Sequence, residues 1–237
     1  MVASRERAQA MVLAGRVLVN GQKVEKAGAG VEPDAEIRLL GEDLPFVSRG
    51  GLKLQAALEH WKINLSGRTC LDVGASTGGF TDCMLQGGAG SVIAIDTGYG
   101  QIASRLRSDS RVRLLEKTNA RYLTRAQLHT LSSDVSFIAI DVSFISVTLI
   151  LPAVIESAFK ETVASHRELV VLVKPQFEVG RELVGKRGIV RDVEAQQNAV
   201  MKVRQEVSRL GGHNIDVIES PILGMEGNRE FLLHAEF

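Results

Sequence analysis

The sequence predicts an α/β fold: a mostly parallel seven-stranded sheet with helices on both faces, preceded by a small α+β module. Three observations predict it. Short apolar, β-branched runs recur at Thr69–Val73, Ser91–Ile95, Val112–Leu115, Phe137–Ile140, Leu169–Val173, Ile215–Ile218 and Phe231–Phe237, with helical stretches or glycine turns between most of them. A glycine-rich loop, Gly74-Ala75-Ser76-Thr77-Gly78-Gly79, joins the first run to a helical stretch. The last two runs are separated by SPILGMEGNRE, too short for a crossover helix, which makes them an antiparallel pair at the sheet edge. A length of 237 residues allows one or two domains.

The elements follow in order. Ser4 caps a helix with Ala8, Met11, Val12 and Leu13 inward, and Gly15 ends it in a left-handed cap. Val17 and Val19 give a short strand, Asn20-Gly21 a tight hairpin turn, and Lys23-Val24 and Ile37–Leu40 the strands that complete the module. The module is polarised: residues 1–26 carry five basic and two acidic side chains, residues 27–43 one basic and five acidic. From Phe46 the pattern becomes strand–helix alternation. Ser48-Arg49-Gly50-Gly51-Leu52-Lys53-Leu54 leads into a helix containing Ala56, Ala57, Leu58 and Trp61. Lys53 falls in its first turn, where the helix dipole does not favour a cation, so an external anionic or carboxylate partner is expected.

In Asp72-Val73-Gly74-Ala75-Ser76-Thr77-Gly78-Gly79-Phe80, small residues let the backbone approach a ligand, and the helix start offers unpaired N–H groups. Ala75-Ser76 interrupt the dinucleotide fingerprint, and Phe80 stands where a phosphate-binding loop needs lysine. The spacing suits a nucleoside carrying a carboxylate and an ammonium group but no phosphates, which is S-adenosyl-L-methionine. Asp96, at the end of the second strand, is placed to accept both ribose hydroxyls. Asn119, after the third, is a candidate for the adenine or a plain turn residue. Asp141 and Lys174 follow the fourth and fifth strands, at the sheet end where open α/β folds place ligands. A lysine ending an apolar run needs a partner and Asp141 is its natural one, either as chemistry or as a structural ion pair. Glu230 stands at the start of the final strand.

Composition narrows the functional classes. Twenty-eight basic residues balance 28 acidic ones, and 45% of the chain is hydrophobic. Extensive disorder and a uniformly basic nucleic-acid coat are thereby excluded, while local basic faces are not. Two cysteines, Cys70 and Cys83, make no disulfide scaffold and suit a reducing compartment. There is no secretory apolar stretch, and the charge-free run 142–155 falls short of the ~18 residues of a membrane span. A soluble, cytoplasmic protein with no membrane partner is expected. His60, His129, His166, His213 and His234 lack ligand spacing, so no metal is expected.

Together SRGGLKL, DVGASTGGFT, IDVSFIS, VKPQFEVG, GIVRD and GNREF, spanning residues 48–231, give a resemblance to the TlyA-type (hemolysin A-like) ribosomal RNA ribose methyltransferases, relatives of the FtsJ RNA methyltransferases. SRERAQAMVLAGRVLVNG resembles the latter part of the small RNA-binding domain shared with a ribosomal small-subunit protein and pseudouridine synthases. The resemblance implies a Rossmann-like, S-adenosylmethionine-dependent methyltransferase domain over residues 44–237. It also implies a partial RNA-binding domain over 1–43 that lacks a first helix, and ribosomal RNA or ribosomal subunits as partners. A catalytic tetrad of Lys53, Asp141, Lys174 and Glu230 would methylate a ribose 2′-OH of cytidine in 16S or 23S rRNA. Lys174 would act as base, Asp141 and Glu230 would position it, and Lys53 would stabilise the developing alkoxide. Cofactor contacts are expected from Asp72, Gly74, Ala75, Ser76, Gly78, Gly79, Phe80, Asp96 and Asn119.

RNA binding needs phosphate contacts. Arg5, Arg7, Arg16, Arg49, Arg181, Lys186 and Arg187 are the candidates. A second arginine-rich stretch, residues 101–125, holds seven cations against two carboxylates, and for several of its arginines a solvated helix face is the better reading. The competing classes are a pore-forming cytolysin, which needs spanning or amphipathic segments that the sequence does not show, a non-catalytic ribosome-assembly factor, and a dinucleotide oxidoreductase.

Overall fold

The structure, a computed structural model, describes all residues except 1–4, 14, 16, 25, 40–43, 132–133, 161–165 and 225, and for 6, 7, 10 and 13 the backbone alone. It divides into two compact units, Met1–Pro45 and Phe46–Phe237.

The first unit holds helix α1 (Arg5–Leu13) and strands β1 (Val17–Val19), β2 (Gln22–Lys23) and β3 (Ile37–Leu39), an antiparallel sheet in the order β2-β1-β3. Met11 and Val17 are its buried anchors. Gly15, at φ +64, donates its N–H to Val12 O and caps the helix. Asn20 and Gly21 both have positive φ, the requirement of a two-residue hairpin turn. That turn pairs Val19 with Gln22, so β2 runs one residue earlier than the expected Lys23-Val24. The expected cap Ser4, the Leu13 side chain and Leu40 lie outside the described residues.

The second unit opens with α2 (Gly50–His60), β4 (Thr69–Val73), α3 (Gly79–Gln86), β5 (Ser91–Ile95), α4 (Ser104–Arg107), β6 (Val112–Leu115) and α5 (Arg125–His129). It continues with β7 (Val135–Ile140), α6 (Leu151–Phe159), β8 (Glu168–Val173), α7 (Pro175–Glu178), α8 (Val193–Arg209), β9 (His213–Glu219) and β10 (Phe231–Glu236). The sheet order is β6-β5-β4-β7-β8-β10-β9. Six strands run parallel, and β10 is antiparallel to both neighbours. The expected antiparallel pair lies at the sheet edge, with β9 outermost and β10 between β8 and β9.

Strand alternation builds two cores. Leu71, Val73, Ile138, Ile140, Leu169 and Val171 face one way, with α6 and α8 packed over them. Cys70, Phe137, Ala139, Val170 and Leu172 face the other, against α2 and α3. The chain leaves β4 toward β5 and β6, then returns on the far side as β7. The crevice at that reversal opens at the carboxyl ends of β4 and β7.

The other end of the sheet is tied by a buried charge cluster. Glu168 forms an ion pair with Arg68, lies 3.2 Å from His234 Nε2 and 3.0 Å from His166 Nε2. Burial opposes its ionisation, but hydrogen bonds with His234 and Arg68 and the adjacent cations prevail and hold the carboxyl at about 2. Arg68 also donates to Ser136 Oγ and to the carbonyl of Ser136, which joins the starts of β4, β7 and β8.

Candidate active site

Three loops leaving the sheet are laced together by their backbones. Gly74 N and Ala75 N donate to Ile95 O at 2.9 and 3.1 Å, and Asp141 N donates to Val73 O at 2.9 Å. Gly74 sits at φ +90, and a Cβ there would stand 2.3 Å from the Asp141 carbonyl oxygen. Only glycine permits that conformation and that approach. Gly79 plays a similar part between helices: a Cβ on it would meet Ser48 Oγ at 2.3 Å and Gly51 N at 3.0 Å. The start of α2, and with it Lys53, is thereby drawn against the start of α3.

The loops enclose a cavity of about 430 Å³, whose lining includes Gly74, Ser76, Asp96, Asn119, Asp141 and Ser143. Asp96 Oδ2 accepts from Ser76 N at 2.8 Å and Oδ1 from Gly98 N at 2.6 Å. A carboxylate has about four lone-pair sites, so two remain for a vicinal diol. Asn119 Oδ1 accepts from Arg121 N at 3.0 Å, so the residue caps a turn and lines the cavity at once. Ala75, Gly78, Gly79 and Phe80 shape the turn into α3 and do not line the cavity.

Asp72 lies fully buried beneath the loop, away from the cavity lining. Its Oδ2 accepts from Thr81 Oγ1 at 2.5 Å, while Oδ1 is buried without a hydrogen-bond partner. Burial pushes its carboxyl up to about 7, against the opposing Thr81 hydrogen bond. A raised acid means that the native state holds a proton the unfolded chain releases near pH 3.8, so this group's contribution to stability falls as pH rises from about 4 through about 7. Asp72→Asn removes that dependence. In ligand-free protein the variant's melting temperature is expected to fall less than the wild type's between pH 5 and pH 8; parallel curves in a calorimetric pH series would contradict it.

Two lysine–carboxylate pairs stand at the same end of the sheet. Lys53 Nζ, from α2, donates to Glu230 Oε2 at 2.5 Å. Lys174 Nζ, just past β8, lies 2.6 Å from Asp141 Oδ1 and donates to Ser143 Oγ at 2.9 Å. Phe231 pairs with Val173 in the β10–β8 register, so the reversed direction of β10 puts Glu230 beside Lys174 at the carboxyl ends of the parallel strands. Both lysine side chains are buried to about nine-tenths. Uncompensated charges there would be costly, which is why each has a carboxylate.

Several supporting residues lie inside the quoted motifs but have no role that the sequence alone assigns. Glu178, on α7, accepts from Val147 N at 2.7 Å and from Ser146 Oγ, and ion-pairs with Lys202 at 3.5 Å. It clamps the segment that follows Asp141 to the one that follows Lys174. Asn228, nearly fully buried, accepts from Val190 N at 3.0 Å and donates to Gly188 O at 2.8 Å, tying the basic loop to the approach of β10. Phe144 lines the cavity and is 92% exposed, with φ +67, and its ring tilts against Phe177 at 5.4 Å.

Of the expected RNA contacts, Arg5, Arg49, Arg181, Lys186 and Arg187 are exposed, while Arg16 and the Arg7 side chain lie outside the described residues. In the 101–125 stretch, Arg105 pairs with Asp82, Arg107 with Glu116 and Arg111 with Asp109. Those three cations serve internal bridges. Lys117 and Arg121 instead lie over the exposed rings of Tyr99 and Tyr122.

Comparison with known proteins agrees with this geometry. The TlyA 16S/23S rRNA (cytidine-2′-O)-methyltransferase of Mycobacterium tuberculosis is 41% identical over 97% of this chain and 83% of its own. A solved structure from Streptococcus thermophilus that carries a hemolysin name has a TM-score of 0.78 and 42% identity, covering 99% of this chain and 83% of that one. Among the described residues no helix is long and apolar enough to cross a membrane. Aeropyrum pernix fibrillarin in complex with S-adenosyl-L-methionine, at 13% identity and a TM-score of 0.54 over 80% of this chain and 74% of its own, shares the fold. The S4 domain pattern matches residues 1–37, and the FtsJ-like methyltransferase pattern matches residues 46–237. With this sheet, this cavity and that match across most of its length, the chain belongs to the FtsJ-like methyltransferase family.

Proposed function

We propose that the protein transfers a methyl group from S-adenosyl-L-methionine to a ribose 2′-OH of ribosomal RNA, on cytidine in the small or large subunit. The observation that carries this reading is the convergence of the Lys53–Glu230 and Lys174–Asp141 pairs beside a cavity whose lining includes Asp141. The donor set fits the cofactor: Asp96 keeps free acceptor sites for a ribose diol, and the glycine loop has no lysine for phosphates. When bound, the cofactor supplies a methyl group on a sulfonium, so the leaving group is already neutral on departure.

The protein's part is to hold the ribose oxygen and manage its proton. Lys174 takes the 2′-OH proton, Asp141 and Glu230 position it, and Lys53 stabilises charge on the oxygen. Arg181, Lys186 and Arg187 lie on the loop anchored by Asn228 and hold RNA phosphates, as do Arg49 and, in the S4 region, Arg5. Phe144 offers the target base a face to stack on. Base–aromatic stacking is worth about 1–3 kcal/mol, so Phe144→Ala is expected to lower kcat/KM by about tenfold, more than it lowers S-adenosylhomocysteine affinity.

Incubation with labelled S-adenosylmethionine and unmethylated ribosomal subunits, followed by primer extension, tests the reading. A discrete 2′-O-methyl stop is expected. Subunits that remain unlabelled, or label on a base instead of a ribose, would overturn it.

A further inference from the structure

The loop that carries Asp141 also carries a second group that touches Lys174. Ser143 Oγ accepts a hydrogen bond from Lys174 Nζ at 2.9 Å, and Asp141 Oδ1 lies 2.6 Å from the same nitrogen. Ser143 is exposed and lines the cavity, whereas Lys174 is buried. The hydroxyl thus stands on the open side of the amine.

We propose that Ser143 is a positioning residue that aims the Lys174 lone pair at the substrate hydroxyl. The proposal rests on the reading of Lys174 as base. An amine that has given a proton to solvent keeps two N–H bonds and one lone pair, arranged tetrahedrally around nitrogen with Cε. One N–H directed at Asp141 still leaves the lone pair two positions, related by rotation about Cε–Nζ. A second N–H held by Ser143 leaves one. In the step itself the 2′-O–H bond breaks and its proton bonds to that lone pair. The oxygen's electron pair forms the bond to the methyl carbon, and the methyl–sulfur bond breaks with its pair remaining on sulfur.

The loop is built to hold the hydroxyl still. Glu178 fixes Ser146 and Val147 three and four residues further on, and Asp141 N is fixed on Val73 O two residues before. Between these anchors the backbone takes the left-handed turn at Phe144. Asp141 carries a charge that compensates Lys174; Ser143 adds direction without charge.

The test uses the full chain with Ser143→Ala, Ser143→Thr and Lys174→Ala. Ser143→Ala is expected to slow single-turnover methylation of unmethylated ribosomal subunits by about tenfold, with the subunit KM and the calorimetric affinity for S-adenosylhomocysteine changed less than about twofold. Ser143→Thr, which restores the hydroxyl, is expected to recover most of the rate. Nitrogen-15 NMR of the free protein provides a reading independent of activity: the Lys174 Nζ–H signal is protected from water exchange in wild type and Ser143→Thr, and lost in Ser143→Ala. An unchanged rate in Ser143→Ala alongside an inactive Lys174→Ala overturns the role of Ser143. A fall in rate matched by a fall in S-adenosylhomocysteine affinity also overturns it, by assigning the serine to the cofactor. An active Lys174→Ala overturns the base reading instead.

Discussion

Replacing Lys174 with arginine is expected to reduce methyl transfer by about 10²–10⁴-fold without unfolding the protein. Arginine keeps a positive charge for Asp141, which lies 2.6 Å from Lys174 Nζ, so the ion pair survives in kind. Its guanidinium stays protonated at any working pH and cannot accept the ribose proton. The substitution therefore separates the two readings of Lys174 that the sequence alone leaves open. A structural ion pair predicts an active enzyme, a general base an inactive one. Single-turnover rates, with melting temperature and S-adenosylhomocysteine affinity as controls, decide between them.

The second large effect concerns stability, at the far end of the sheet. Arg68→Met is expected to destabilise the methyltransferase domain by about 3–5 kcal/mol at pH 7, because it leaves the buried Glu168 without its guanidinium partner. That is a large share of the ~5–15 kcal/mol that holds a typical domain together. The pH dependence has a definite sign. Glu168 titrates near 2 in the native state against 4.5 for the free side chain, so its stabilising contribution is complete above about 4.5 and fades as pH falls toward 2. Wild type and Arg68→Met are therefore expected to converge as pH falls through that window in urea unfolding. Adding Glu168→Leu to Arg68→Met is expected to recover most of the loss at pH 7, since no carboxylate is then stranded. Equal unfolding midpoints for wild type and Arg68→Met at pH 7 would show that the cluster contributes little.

Arg68 also shows where the sequence stops being informative. The strands were legible because a sheet buried on both faces demands continuous β-branched runs. Thr69–Val73, Ser91–Ile95 and Val112–Leu115 begin and end where the sequence places them. The Lys174–Asp141 contact was legible for a similar reason: a cation closing an apolar strand needs a partner, and the neighbouring strand end offers one. The insertion of β10 was not. An antiparallel edge pair has the same local pattern whichever of its two strands is outermost, and only the pairing with β8 distinguishes them. Phe144 was hidden because an exposed aromatic with φ +67 looks, as a letter in a string, like any core phenylalanine. The pairings of the arginines in residues 101–125 were also out of reach: three of them answer carboxylates from 2 to 23 positions away, and a charge count over a window cannot see that. Ser143, Glu178 and Asn228 act by hydrogen bonds across 31 to 40 residues, which leave no periodic trace.

The placement of β10 has a consequence for how the enzyme comes into being. A ribosome delivers this strand after both of its neighbours, yet it lies between β8 and β9 and brings Glu230 to Lys53. Until β10 emerges, β8 has an unpaired flank and Lys53 lacks its carboxylate. The nascent chain can collapse around β4 to β8 well before then, since domains begin to organise during synthesis. It cannot acquire a complete set of charged groups by doing so. The two lysine–carboxylate pairs are in this way completed only once β10 has been made, and a product terminated before Glu230 would carry the cavity with Lys53 still lacking its carboxylate.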